Sequence, residues 1–473
     1  MSGRGMVALL AAAIVLLIGC TADQAGDVAL YRGISDPPGG APARLPSEAL
    51  SLQDALKFTA MYNERIAQQG ERYVQALAER QRAASALRPT LELFSETSLR
   101  ENTGEGIAQT AVGFGAQYRL LTGLSDLREV DASEARVRAG RWLILDLRET
   151  LLLETARAYY EVLRAERLAM VLESSVRAQS ARLEDARARN EVGFTRPLDV
   201  AQIEAQVSRT RAQLITAEGN AREARATLAL LTNLDVEGIA LSDGFGVPVD
   251  VPGRAGLIAL AHRHRQDLLA ARAQADAARS DVDAAIGQYA PSIGVNLEAF
   301  LLQEPDDSPA AIASLIQIRV PIFSAGRIEA DIRGAWSVFR EAALEYRARA
   351  RAATADVDAV LAQLRASRAR LEEFSTQVRV AREALTLAEA SYEAGLGTNL
   401  ERVTAQDQLL SAELEQVSEE YQVKLLTLAL RRACGMLAVE HIGAVLPATE
   451  EWERSAPDAP LIDRGPARTT EGA

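Results

Sequence analysis

The sequence predicts a mainly α-helical fold of long antiparallel coiled coils with a small β part, arranged as an internal duplication. Three observations lead to it. Aromatics are only 5% of the 473 residues, while Ala, Arg, Glu, Leu and Gln recur at helical spacing, the profile of long helices. The turn NEVGFTRPLDV from Asn190 returns as YEAGLGTNLER from Tyr392, with Gly193 and Gly395 202 positions apart. Between the helical runs, short segments switch to an apolar period of two.

The chain opens with MSGRGMVALLAAAIVLLIGC: one early cation, Arg4, an apolar run from Met6 to Ile18, then Leu17-Ile18-Gly19-Cys20. The run is too short to span a bilayer comfortably and is flanked like a secretory signal. Its ending resembles a bacterial lipobox, in which the cysteine becomes the lipidated first residue. We therefore expect a signal peptide over 1–19 and a covalent lipid on Cys20, with no other cofactor; a plain signal peptide with an incidental cysteine is the alternative. By the same analogy, Thr21 in place of Asp favours the outer membrane. Residues 20–50 read as a lipidated linker and 438–473 as a partly disordered tail.

Cleavage before Cys20 removes Arg4 and takes the formal net charge from −13 one unit further negative, a poor match to nucleic acid. Cys434 is left alone, so no intrachain disulfide framework exists. No later segment approaches eighteen uninterrupted apolar residues, so a membrane span would have to be made of strands.

The 202-residue offset runs through the chain. Asn63-Glu64-Arg65-Ile66 falls on Arg265-Gln266-Asp267-Leu268, Pro89 on Pro291, and Leu120-Leu121-Thr122 on Ile322-Phe323-Ser324. One repeat covers 51–235, an inter-repeat linker 236–252, and a second repeat 253–437. Each reads helix, strand, strand, long helix, turn, helix. The first helices, from about Leu52 to Leu87 and Gly256 to Tyr289, stop before Pro89 and Pro291, because proline disfavours helix in the preceding residue.

After Pro89 the apolar Leu91, Leu93 and Leu99 alternate with Glu92, Glu96 and Arg100; after Pro291, Ile293, Val295, Leu297 and Leu301 oppose Asn296 and Glu298. Val112–Tyr118 and Ile312–Val320 alternate likewise. Four strands of about ten residues can cross a bilayer when tilted. They cannot close a barrel, and lipid does not tolerate open edges. The hairpins must either fold onto a soluble body or be pooled with other subunits.

From Ser125 to Glu191 there is no Pro and only one Gly, so a helix of about 100 Å is expected at 1.5 Å per residue. Ala165, Ala169, Leu172, Val176, Gln179, Leu183 and Ala186 step by 4 and 3, a coiled-coil seam. A second seam, Leu400, Val403, Leu410, Leu414, Val417, Tyr421 and Leu428, is interrupted by Asp407 and Lys424. The helix after Gly193 carries two apolar stripes, one through Ile203 and Val207, the other through Leu198 and Ile215. Such a helix is packed on both sides.

Thr398-Asn399-Leu400-Glu401 fits a capping box. Pro197 takes the N1 position proline prefers, and Asp199 then matches Glu401 in the first turn, where a carboxylate suits the helix dipole. Of the three histidines, His262 and His264 lie about 200° apart around a helix and cannot share a metal as an i, i+4 pair could. No phosphate loop, nucleophile elbow or cysteine cluster is present, so no metal site and no enzyme is expected.

Together these features resemble the TolC-like outer-membrane efflux channels, over essentially the whole mature chain. The residues that carry the resemblance are Pro321-Ile322-Phe323-Ser324-Ala325-Gly326-Arg327 at a strand exit and Tyr392-Glu393-Ala394-Gly395-Leu396-Gly397-Thr398-Asn399-Leu400 at the second hairpin turn, joined to the lipobox and the duplication. The resemblance implies a homotrimer whose four strands per chain build a 12-stranded barrel above an α-barrel reaching into the periplasm. It implies a passive exit duct of a tripartite efflux or type I secretion system, docked to a periplasmic adaptor and an inner-membrane pump. Gly193, Phe194, Gly395 and Leu396 would then sit at hairpin tips that meet the adaptor. Asp199 and Tyr392 would latch the closed gate, Glu401 would form an acidic ring, and Glu92, Glu96 and Glu298 would line the barrel lumen. Two positions depart from the family pattern: Gly397, where some members carry a basic residue of the latch, and Thr404, where some carry a second acid. The competing reading is a periplasmic coiled-coil adaptor or scaffold without a pore. The transported substrate is not legible, because a wide duct need not recognise its cargo.

Overall fold

The computed structural model describes residues 24–36, 49–102, 105–247, 251–304 and 312–437. The signal segment, Cys20 and the tail 438–473 lie outside them. The elements are α1 (Gln24–Ser35), β1 (Leu50–Ser51), α2 (Leu52–Tyr62), α3 (Glu64–Ser85), β2 (Thr90–Asn102), β3 (Glu105–Thr122), α4 (Ser125–Glu191), α5 (Pro197–Thr232), β4 (Leu241–Ser242), α6 (Arg254–His264), α7 (Gln266–Gly287), β5 (Ser292–Glu304), β6 (Ile312–Arg319), α8 (Arg327–Glu393) and α9 (Asn399–Ala433).

The long helices α4 and α8 have 67 residues each, about 100 Å at the α-helical rise. Shorter helices pack along them. Salt bridges Arg80–Glu134 (2.8 Å) and Arg65–Glu154 (2.9 Å) mark the antiparallel pairing of α3 with α4. The predicted seam of α4 is buried at Ala165, Leu172, Gln179, Leu183 and Ala186. In α9 the seam is buried at Leu410, Val417 and Leu428. Its two charges are structural links: Lys424 pairs with Asp243, and Asp407 with Gln206 and Arg209.

Each repeat's first helix proves to be two. Asn63 and Arg265, 202 positions apart, are extended (φ −74°, ψ 123° and φ −64°, ψ 120°), each ending one helix and starting the next. One extended residue does not disturb an apolar period, so the break is invisible to periodicity. Asn63 stabilises it by accepting from the Arg65 N–H (3.0 Å) and donating Nδ2 to the Leu231 carbonyl (3.0 Å).

Two segments read as linkers are structured. Within 20–50, α1 packs on α3 and α4 with Tyr31 buried, and β1 forms a parallel pair with β4 of the 236–252 segment (Leu50 with Leu241). The buried Tyr159 hydroxyl donates to the Leu50 carbonyl and lies equally close, 2.7 Å, to that of Ser242. Arg225 Nη1 donates to the carbonyls of Val236 (2.7 Å) and Ile239 (2.9 Å). Around this belt sits the main core, including Leu56, Leu152, Tyr159, Leu228, Val236 and Leu428. A second cluster joins Leu257, Val357, Leu361, Leu430 and the buried Cys434. Full burial of each such aliphatic side chain stabilises by about 1.5–3 kcal/mol.

The two hairpins merge into one antiparallel sheet of order β2-β3-β5-β6. Its outward strands β2 and β6 find no further partner among the described residues. No described helix is long and apolar enough to cross a membrane.

Candidate functional site

The end of the molecule away from the sheet is formed by two helical hairpins, α4–α5 and α8–α9. The first turns at Gly193, whose φ of +81° is left-handed, and the second at Gly395, φ +71°. Only glycine enters that region without steric cost. Phe194 N–H closes back on the Arg189 carbonyl (2.8 Å), and Leu396 N–H on that of Ser391 (2.9 Å). This leaves Phe194 85% and Leu396 88% exposed at the tips.

The helices leaving the turns are capped differently. Thr398 accepts from the Glu401 N–H (3.3 Å) and Glu401 Oε2 from the Thr398 N–H (2.8 Å), completing the capping box. Pro197 starts α5 at N1 after an extended Arg196. Asp199, buried at 6% exposure, accepts from Arg196 Nη2 (2.9 Å) and Nε (3.0 Å). Hydrogen bonding and charge from Asp199 hold Arg196 above its ordinary value, with Tyr392 adding to the effect. Tyr392 itself carries the Arg402 guanidinium 4.3 Å above its ring, a cation–π contact. Arg402 Nη2 donates to Asn399 Oδ1 (2.9 Å). Asp199 and Glu401 are thus bonded within their own hairpins, whereas Tyr392 stacks with Arg402 of its own hairpin and acts electrostatically on Arg196 of the other.

The bonds between the hairpins lie above the tips, and apart from Asp407 they fall on residues that periodicity did not single out. Arg182 of α4 donates Nη2 to Glu389 of α8 and Nη1 to Gln406 of α9. Gln206 of α5 donates to Asp407, which also stands 3.6 Å from Arg209. Asn399 Nδ2 donates to Gln202 Oε1 (3.3 Å). The one signal available in advance was Asp407, a charge in an apolar seam.

At the sheet end, Glu92, Glu96 and Glu298 are all exposed. Register places Glu92 opposite Gly115 and Gly115 opposite Glu298, so both acids share one row and one face. The other face carries exposed Leu91, Leu93, Phe114, Leu297, Ile316 and Ile318. Near the middle of the rods, Glu149 is buried, accepting from Gln266 Nε2 (2.7 Å) with Arg432 Nη1 3.7 Å from its Oε2. Burial pushes its carboxyl up to about 8, against the opposing pull of Arg432, Gln266 and Arg148. His262 bonds Thr354 Oγ1 (3.1 Å).

The model of the outer membrane efflux protein family matches residues 62–234 and 257–436, two segments that fall inside the ranges read as the two repeats. The chain belongs to that family. Outer membrane efflux protein BepC of Brucella suis is 26% identical over 369 residues, 76% of this chain and 80% of its own length. The outer membrane protein TolC of Vibrio cholerae is 24% identical over 66% of this chain and 74% of its own. The crystal structure of the outer membrane protein VceC from Vibrio cholerae superposes with a TM-score of 0.74 at 20% identity, covering 81% of this chain and 96% of that one. The chain is an outer membrane efflux protein, and a poreless scaffold does not fit that membership.

Proposed function

We propose that this efflux protein is the passive exit duct of a tripartite export system, working as a homotrimer anchored by a lipid on Cys20. One observation carries the reading: a four-stranded sheet, apolar on one face and acidic on the other, stands on rods of about 100 Å and leaves two strand edges unpaired among the described residues. An edge in lipid is costly, and pairing β6 of one copy with β2 of the next removes it. Three copies bring twelve strands, with Leu91, Ile316 and Ile318 toward lipid and Glu92, Glu96 and Glu298 toward the lumen. The exposed second stripe of α5, Leu198 at 59% and Ile215 at 61%, supplies an apolar surface for a neighbouring copy.

The tips, with Gly193, Phe194, Gly395 and Leu396 foremost, would meet a periplasmic adaptor (membrane fusion) protein coupled to an inner-membrane pump. Asp199, Tyr392 and Glu401 belong to the closed gate there. The chain offers no energy-coupling motif, so transport is driven by the pump. Purified protein in planar bilayers tests the reading: a trimer that conducts supports it, and a monomer that never conducts overturns it. Loss of membrane anchoring in Cys20→Ser tests the lipid separately.

A further inference from the structure

Two phenylalanines stand where the polar face of the sheet should be wet. Phe94 is two residues beyond Glu92 on β2, and Phe300 two beyond Glu298 on β5, so period-two alternation puts each ring on its acid's face. The rings meet edge to face, centroids 5.8 Å apart at 87°, across Gly113 of β3. A Cβ on Gly113 would fall 2.5 Å from the Ala299 carbonyl and 3.0 Å from Phe94 Cζ, so only glycine lets the pair close over the strand. One row below, Gly115 leaves the same open floor between Glu92 and Glu298. The motif Glu-x-Phe occurs at 92–94, 298–300 and 372–374; the third copy lies on helix α8, and register brings the two strand copies side by side across β3. The chain has 9 phenylalanines in all, and two of them are spent on this spot.

We infer that these paired motifs form a belt in the barrel that binds cations bearing an aromatic ring, an acidic row attracting the charge and an aromatic row receiving the ring. The inference rests on the proposed trimeric barrel with its acidic face inward, where three copies would bring six carboxylates and six phenyl rings around the lumen. The rows are two residues apart, about 7 Å along a strand, within the span of a small aromatic cation. Phenyl faces attract cations and stack with rings, and carboxylates facing a lumen add a screened Coulomb attraction. A purely structural role, two rings shielding the Gly113 backbone, predicts no ligand preference.

The test uses the full-length trimer in planar bilayers, with benzyltrimethylammonium and tetramethylammonium as blockers. Wild type should be half-blocked by the benzyl cation at a concentration about fivefold lower than by tetramethylammonium. Phe94→Leu with Phe300→Leu should abolish that difference. Glu92→Gln with Glu298→Gln should raise the half-blocking concentration of both cations, and more at low salt. Equal block of wild type by the two cations, or wild-type block in the Leu variant, overturns the belt while leaving the channel reading intact. If the Leu pair fails to assemble, the Gln pair decides, since its exposed side chains carry no core packing: unchanged block overturns the belt. Absence of any wild-type conductance removes the channel reading, and the belt with it.

Discussion

Arg182 donates to Glu389 across the two hairpins, and the same guanidinium reaches Gln406 on the next helix. One side chain therefore staples α4 to both helices of the second hairpin, and separating the hairpins breaks both bonds together. Charge-assisted bonds contribute about 1.5–3 kcal/mol when shielded, and less at partial exposure such as the 26% and 35% of this pair. Arg182→Ala should raise the open-to-closed ratio about three- to tenfold, read as longer open dwell times of single channels. Arg182→Lys, able to hold one partner, should fall between. Unchanged dwell times would show that the staple does not resist opening.

The tip residues act more locally. Asp199 is bound by Arg196, and Tyr392 lies under Arg402, so each braces its own turn against splaying. Tyr392→Phe with Asp199→Ala should raise single-channel conductance while thermal stability changes by no more than about 1–2 kcal/mol, the scale of a lost cap or bond. Wild-type conductance in the double variant would argue against a gating role for the pair.

Glu149 makes stability depend on pH. Its folded pKa, about 8 against an ordinary 4.5, is raised, so its contribution is fully present below the unfolded value. It is lost as pH climbs from there through 8. At about 1.4 kcal/mol per unit, the loss amounts to several kcal/mol. Glu149→Gln should flatten the decline of the melting temperature between pH 5 and 9. An equal slope in the variant would assign the pH dependence to other groups.

Tyr159→Phe removes the hydroxyl set between the Leu50 and Ser242 carbonyls and takes away the single proton they share, at a site where Leu50 is buried. A destabilisation of about 1–3 kcal/mol is expected. Amide exchange should quicken around Leu50 and Leu241, where β1 pairs with β4. Protection equal to wild type would mean that the backbone pairing holds without the tyrosine.

Much of this architecture is local and therefore legible in one dimension. Pro89 and Pro291 end helices by sterics, the alternation after them sorts two sheet faces, and the seam of α4 follows from spacing alone. The capping box of Thr398 and Glu401 involves neighbours three residues apart, and the structure has it as expected. The glycine turns at 193 and 395 needed only a left-handed residue between two helical runs.

Contacts between distant segments obey no such short rule. The breaks at Asn63 and Arg265 depend on partners such as the Leu231 carbonyl, 168 residues on, and the linker strand β4 gains its meaning only beside β1. The repeat offset of 202 would place Glu92 against Gly294. Strand register through β3 instead sets Glu92 beside Glu298 and Phe94 beside Phe300. The sequence by itself determined the elements and their duplication, because periodicity, caps and proline sterics act within a few residues. Which charges staple the hairpins and which rings meet in the sheet was decided only by tertiary structure, because helix packing and strand register join residues that share no local signal.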